Sequence, residues 1–195
     1  CTHRVIGDRI VCATYLCAAA AAGGEVRLTG VDYRAVSTVA LSLAESGCEV
    51  RSEADAVSLR STGALRSVRP VRTAPYPGFP TDAQPVLMAA LLRSEGCTVF
   101  VENIFENRYR HVDELSRMGA EIRVAGRVAV VNGVRTLHGA AVKCTDLRGG
   151  AALVIAGLSA EGTTRVTELT HIDRGYDAIE RDLAALGAQI RRETT

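Results

Sequence analysis

The sequence predicts an α/β domain of three repeated β-α-β-α-β-β units, with the helices buried at the centre and the sheets outside. Two sets of glycines recur about 70 residues apart, and each glycine follows a helix-like run, as a helix-ending residue does. The first helix of each unit is apolar on nearly every side, which is typical of a helix surrounded by protein. The two sets are Gly24, Gly96 and Gly162, and Gly47, Gly119 and Gly187.

The elements of each unit are predicted from the alternation of apolar runs and turn residues. In the first unit, residues 1–66, we expect a helix ending at 22, a strand at 25–28, a helix at 35–46, and strands at 48–52 and 56–60. In the second, residues 67–138, a strand at 68–72 leads into helix 86–94, strand 98–102, helix 112–118, and strands 121–124 and 128–131. In the third, residues 139–195, a strand at 141–143 leads into helix 151–158, strand 164–168, helix 176–186 and strand 189–192.

The repeat is incomplete at both ends of the sequence. The first unit has no strand leading into its first helix, and the third stops before its second hairpin strand. One strand pair is therefore missing. Together with the absence of an initiator methionine, this predicts that a preceding segment of a longer protein completes the domain.

Composition narrows the classes of function. The net charge of +1 gives no reason to expect nucleic-acid binding. No apolar run reaches membrane-spanning length, and no secretory signal is evident. The six cysteines lack metal-site spacing and mostly adjoin apolar residues, so we expect free thiols in a cytoplasmic protein that carries neither metal nor cofactor.

The basic residues are nearly all arginine, and Lys143 is the only lysine. Arginine binds carboxylates and phosphates through two parallel hydrogen bonds, whereas codon bias would enrich arginine without any such purpose. Arg108 and Arg174 lie in polar segments that follow predicted strands, and Arg148 follows Asp146 by two residues. If the units stack, these arginines would lie at one end of the domain.

Three aspartates, Asp8, Asp82 and Asp146, occupy equivalent positions before the first helix of each unit. Each could cap that helix by accepting hydrogen bonds from its free N–H groups. Alternatively, carboxylates beside arginines in a cleft would suit a small, multiply anionic substrate and proton transfer. Pairing of aspartate with arginine that only fixes the loops is a third interpretation.

The segment before Asp82, TAPYPGFPTD at residues 73–82, contains three prolines and one glycine. It cannot continue as a regular helix or a central strand. Because neither of the other units has such an approach, the stiff segment distinguishes Asp82 from its two equivalents.

Five motifs, in this order along the chain, resemble the UDP-N-acetylglucosamine 1-carboxyvinyltransferase (enolpyruvyl transferase) family. They are TAPYPGFPTD (73–82), FENR (105–108), ELSRMGA (114–120), TDLR (145–148) and HIDRGY (171–176). The resemblance implies two three-repeat domains, each an inside-out α/β barrel or prism, with the active site between them. This chain, residues 1–195, would be the C-terminal domain. Its partner would be the N-terminal domain, whose first strands cross over to complete it.

The resemblance implies transfer of the enolpyruvyl group of phosphoenolpyruvate to the 3-hydroxyl of UDP-N-acetylglucosamine, with release of phosphate. This reaction is the first committed step of peptidoglycan synthesis and passes through a tetrahedral ketal. By motif position, Asp82 is implied as the base at the sugar hydroxyl, Asp146 as a second catalytic carboxylate and Arg174 as a catalytic arginine. The other implied site residues are Ile104, whose backbone contacts the nucleotide sugar, Arg108, Arg148 and Arg174 around phosphoenolpyruvate and the ketal, and the pair Asp8-Arg9 near the domain junction.

Two departures from the family pattern accompany this resemblance. Tyr76 replaces a usual histidine, and Gly149-Gly150 replaces an alanine or serine pair, which we expect to loosen the start of the helix. The family's catalytic acid belongs to the other domain, so we expect the chain to be inactive alone. A 3-phosphoshikimate 1-carboxyvinyltransferase-like enzyme and a non-catalytic single-domain binding paralogue are the alternatives.

Overall fold

Three short sheets surround three apolar helices in the computed structural model, which describes residues 1–3 and 5–193. Two 3-10 turns, Thr81–Ala83 and Leu91–Arg93, flank the third helix. The helices are α1 Arg9–Ala22, α2 Tyr33–Glu45, α3 Gln84–Ala90, α4 Val112–Arg117, α5 Leu147–Leu158, α6 Thr170–Asp173 and α7 Ile179–Ala185. The strands are β1 Gly24–Thr29, β2 Glu49–Glu53, β3 Ala56–Ser61, β4 Val71–Arg72, β5 Cys97–Val101, β6 Glu121–Ala125, β7 Val128–Asn132, β8 Ala141–Lys143 and β9 Arg165–Thr167.

The core is formed by α1, α3 and α5, which pack against one another in all three pairings. Every residue of α3 is buried, and Leu16, Leu87 and Leu153 are completely inaccessible to solvent. A helix without a polar face has no side to present to water, so these three occupy the centre. The predicted arrangement, with buried helices and outer sheets, is confirmed, and no closed barrel forms among the described strands.

The sheets share one plan with different numbers of strands. The second sheet is complete, with order β4-β5-β7-β6, β4 parallel to β5 and the other pairs antiparallel. The first sheet, β1-β3-β2, lacks an equivalent of β4 beside β1. The third, the parallel pair β8-β9, lacks an equivalent of the hairpin β6-β7. Within the described residues, strands are therefore missing at both ends of the repeat, as predicted.

Two predictions for the third unit are wrong. Residues 189–192 form no strand. The equivalent strands β2 and β6 pair with the hairpin strands β3 and β7, and no such partner follows within residues 5–193. The helix predicted at 176–186 begins only at Ile179, because Ala178 adopts a left-handed backbone with φ 55°. The polar segment ahead of it contains the short helix α6.

The glycine pair at the start of α5 does not loosen that helix, contrary to expectation. The helix begins at Leu147, four residues earlier than predicted. A Cβ at Gly149 would lie 2.9 Å from the Cβ of His111, and one at Gly150 would lie 2.7 Å from Cγ1 of Ile172. The two glycines therefore allow α5 to pack closely against its neighbours.

The cysteines are all free thiols, and four are buried: Cys12, Cys17, Cys48 and Cys144. Burial raises the pKa of Cys12 to about 12, so this thiol stays protonated and unreactive. The longest described helix, α1, has 14 residues, and no described helix combines the length and apolarity needed to cross a membrane.

Candidate active site

Asp82 lies inside the 3-10 turn Thr81–Ala83, and this turn leads directly into α3. The residue at the capping position of the turn is Pro80, and no described side chain caps the turn. The Asp82 carboxylate instead accepts hydrogen bonds from two arginines. Its Oδ1 is 2.7 Å from Nη2 of Arg108, and its Oδ2 is 3.4 Å from Nη2 of Arg148. These bonds join segments that lie 26 and 66 residues from Asp82 in the sequence.

The equivalent aspartates behave differently. Asp8 Oδ1 accepts from the N–H groups of Ile10 and Val11, at 2.7 and 3.2 Å. Asp146 Oδ1 accepts from the N–H groups of Arg148 and Gly149, at 3.0 and 2.8 Å. The capping interpretation is therefore confirmed for Asp8 and Asp146 and wrong for Asp82. Pro80 occupies the capping position two residues before Asp82, so the Asp82 carboxylate is available for other contacts.

Arg108 is held by several contacts at once. Its side chain is 13% exposed, and Nη2 also donates to the carbonyl oxygen of Thr81 at 3.1 Å. Its guanidinium carbon lies 5.4 Å from the centre of the Phe105 ring, within the range of a cation–π contact. Among the described residues, its buried Nε has no hydrogen-bond partner. Arg108 is thus fixed in place and still has donor capacity.

Arg148 is fixed in a similar way from the third unit. Its side chain is 13% exposed, and Nη1 donates to the hydroxyl of Tyr176 at 3.2 Å. The guanidinium lies over the same tyrosine ring, 5.6 Å from its centre. The Tyr176 hydroxyl also lies 2.8 Å from Oγ1 of Thr14 on α1. Arg148 is therefore oriented by contacts that begin in the first unit of the repeat.

His111 is a buried group of this region that the sequence motifs did not single out. It is completely buried, and neither ring nitrogen has a hydrogen-bond partner among the described residues. Burial is the main cause that lowers its pKa from 6.5 to about 4. The charge of Asp146 acts to raise the pKa, and the charge of Arg108 lowers it by a smaller amount. The imidazole is therefore neutral near pH 7.

Ile104 lies on an exposed segment next to this cluster. Its side chain is 41% exposed, whereas its backbone N–H points inward and donates to Oε1 of Glu102 at 2.8 Å. Glu102 is also absent from the residues singled out by sequence. The sequence did contain one signal that could have identified it, namely a glutamate at the end of the mostly apolar strand predicted at 98–102.

The remaining predicted site residues lie outside the Asp82 cluster. Arg174 is exposed at the end of α6, and no described hydrogen bond or ion pair joins it to Asp82, Arg108 or Arg148. The Arg9 guanidinium lies 5.5 Å from the ring centre of Tyr76, which links α1 to the proline-rich segment. The described residues contain no group of three or more His, Cys, Asp or Glu side chains placed to hold a metal ion.

The different contacts of the aspartates lead to a prediction for stability. We expect Asp146→Ala to lower the free energy of unfolding by about 1 kcal/mol, because it removes both bonds that cap α5. Asp82→Ala should cost less, since its ion pairs are 41% exposed on the aspartate side and are screened by solvent. Urea unfolding of the two variants measures the difference. A larger loss for Asp82→Ala would contradict this assignment of roles.

Comparisons with known proteins agree with this architecture. A family described as EPSP synthase (3-phosphoshikimate 1-carboxyvinyltransferase) matches residues 1–183. UDP-N-acetylglucosamine 1-carboxyvinyltransferase from Gluconacetobacter diazotrophicus is 52% identical over 191 residues, which is 98% of this chain and 45% of that protein. The protein of the same name from Desulfofundulus thermocisternus is 52% identical over 190 residues, or 97% of this chain and 78% of that protein. The chain spans about half the length of most such relatives.

Solved structures show the same fold. The enolpyruvyl transferase NikO from Streptomyces tendae superposes with a TM-score of 0.83 at 30% identity, covering 96% of this chain and 44% of that one. EPSP synthase from Acinetobacter baumannii gives a TM-score of 0.76 at 22% identity over 98% of this chain and 45% of that one. From its family match and its relatives at 52% identity, the chain belongs to the EPSP synthase family of enolpyruvyl transferases, and within it to the UDP-N-acetylglucosamine 1-carboxyvinyltransferases.

Proposed function

We propose that this chain supplies one half of an active site that transfers the enolpyruvyl group of phosphoenolpyruvate to the 3-hydroxyl of UDP-N-acetylglucosamine. One observation carries the proposal: Asp82 does not cap its helix but is held between two arginines that are themselves fixed by other contacts. Such a carboxylate can accept a proton, and the arginines beside it can bind phosphate and carboxylate groups.

The proposed reaction assigns a separate role to each group. Asp82 takes the proton of the sugar hydroxyl while the hydroxyl oxygen bonds to C2 of phosphoenolpyruvate, and an acid from the other half protonates C3. The conjugate base of that acid then takes a proton back from C3, the C2–phosphate bond breaks, and phosphate leaves with the proton held by Asp82, which forms the enol ether. Arg108 and Arg148 balance the charge of the phosphate and carboxylate groups throughout.

The other implied residues complete the proposed site. Ile104 contacts the nucleotide sugar through its backbone. Asp146, which caps α5 next to Arg148, is the second catalytic carboxylate. Arg174, exposed in this chain, would act once the second half and the substrates are in place. The missing N-terminal domain is the proposed partner, and the reaction would be the first committed step of peptidoglycan synthesis in the cytoplasm.

A chimeric enzyme tests the proposal. The 191 matching residues of the Gluconacetobacter diazotrophicus relative are replaced by this chain, and phosphate release from phosphoenolpyruvate is measured. We expect turnover by the chimera with UDP-N-acetylglucosamine and none by the chain alone, because the catalytic acid is expected in the other half.

Three outcomes would contradict the proposal in different ways. Turnover by the chain alone would refute the half-site. Turnover with shikimate 3-phosphate in place of the nucleotide sugar would favour the sister enzyme. A folded chimera without activity on either acceptor would favour a non-catalytic binding paralogue.

A further inference from the structure

Glu102 is an unusual buried carboxylate that directly follows β5. It is 1% exposed, and within the described residues it forms no ion pair. It accepts four hydrogen bonds instead, from the Thr73 hydroxyl at 2.9 Å, the Thr81 hydroxyl at 3.0 Å, the Ile104 N–H at 2.8 Å and the Phe105 N–H at 3.0 Å. A carboxylate removed from water without a cation needs such donors to replace the hydrogen bonds that water would make.

The four donors belong to the two segments that form the candidate site. Thr73 and Thr81 lie near the two ends of the proline-rich segment, and Asp82 follows Thr81 directly. Ile104 and Phe105 begin the exposed segment that leads to Arg108. One side chain therefore joins the approach to Asp82 with the backbone of Ile104.

The position of Thr81 in turn affects the arginine beside Asp82. Arg108 Nη2 donates both to the carbonyl oxygen of Thr81 at 3.1 Å and to Oδ1 of Asp82 at 2.7 Å. A displacement of Thr81 would therefore disturb Arg108 and Asp82 together. Thr73 is held by a second contact, because its hydroxyl also accepts a hydrogen bond from the N–H of Asn103 at 2.8 Å.

We propose that Glu102 is a positioning residue that holds the Ile104–Phe105 backbone and Asp82 in a fixed relation, so that the nucleotide sugar and the base meet correctly. The effect of Glu102 on the reaction rests on the proposed function, whereas its effect on the local backbone geometry does not. Oε1 of Glu102 accepts from the Thr73 hydroxyl and from both amides, and Oε2 accepts from the Thr81 hydroxyl. An apolar side chain at this position would leave all four donors without their acceptor. Glutamine is the conservative replacement, because its oxygen can accept from the amides while its NH2 group donates to the Thr81 hydroxyl.

The first test uses the chain alone. In Glu102→Met, we expect the Ile104 and Phe105 amides to exchange hydrogen about tenfold faster or more, because their shared acceptor oxygen is removed. Amides of β7 should keep their protection, which distinguishes a local change from general unfolding. Glu25→Met, the same change at an exposed position of β1, is the control, and Glu102→Gln should keep most of the protection. Unchanged exchange at Ile104 and Phe105 would overturn the proposal.

The second test uses the chimeric enzyme well below its melting temperature. We expect Glu102→Met to raise KM for UDP-N-acetylglucosamine about tenfold and to lower kcat as well, and Glu102→Gln to restore both constants in large part. A residue with a merely structural role would lower Tm and leave both constants unchanged. Loss of amide protection with kcat and KM both within about twofold of the unsubstituted chimera would overturn the positioning role. If that unsubstituted chimera shows no turnover, the proposed function fails, and the exchange experiment alone decides the geometric role of Glu102.

Discussion

We expect the replacement of Asp82 by asparagine to lower the turnover of the chimeric enzyme by about three orders of magnitude, within the range typical for loss of a general base. Asparagine has nearly the same shape but cannot accept the proton, and it leaves Arg108 and Arg148 without their shared anion. The fold should survive, because Asp82 caps no helix and is 41% exposed. Phosphate release at saturating substrate gives the rate, and thermal melting monitors the fold.

Asp32→Asn provides a matched control for this substitution. Asp32 caps α2 through the N–H of Arg34, at 2.9 Å, and it lies in the first unit away from the cluster. We expect its replacement to leave turnover unchanged. A near-normal rate for the Asp82 variant would mean that Asp82 is not the base. Its contacts with the arginines would then be ion pairs that only fix the loops.

We expect acid to destabilise the folded chain through His111. In the unfolded state its pKa returns to about 6.5, whereas in the folded state burial holds the pKa at about 4. Between these values the unfolded chain binds the extra proton, so the free energy of unfolding falls as the pH decreases from about 7 to about 4. The fall attributable to this group is about 3 kcal/mol, since each unit of pKa difference corresponds to about 1.4 kcal/mol.

The substitution His111→Leu should remove that part of the pH dependence. Both ring nitrogens lack described partners, so an apolar side chain of similar size leaves no hydrogen-bonding group unpaired there. Urea unfolding at several pH values compares the two chains, with His138→Gln as an exposed control. If the His111→Leu variant loses stability in acid as steeply as the original chain, the assignment to His111 is wrong.

The repeat made most of the fold predictable. Glycines such as Gly47 and Gly119 mark helix ends and do adopt positive φ, 109° and 91°. The exceptions lie where local pattern competes with tertiary structure. Residues 189–192 have a strand-like pattern but no described partner to pair with, and pairing rather than pattern makes a strand.

The site was predictable only in part, for a related reason. Motif position identified Asp82, Arg108 and Arg148, which the structure brings together, but it also included Arg174, which the chain leaves exposed. Glu102 and His111 were missed because their significance depends on burial and on hydrogen-bond partners or their absence. The partners of Glu102 lie up to 29 residues away in the sequence, and spacing alone does not reveal them.

The release of Asp82 from capping has a consequence for how this position can vary. At Asp8 and Asp146 the carboxylate caps a helix, so any replacement must still accept hydrogen bonds from the free N–H groups of the first turn. At Asp82 the helix N–H groups make no such demand, and the ion pairs with Arg108 and Arg148 are the contacts that restrict the side chain there. A duplicated unit of this kind can acquire a reactive group without giving up a structural one.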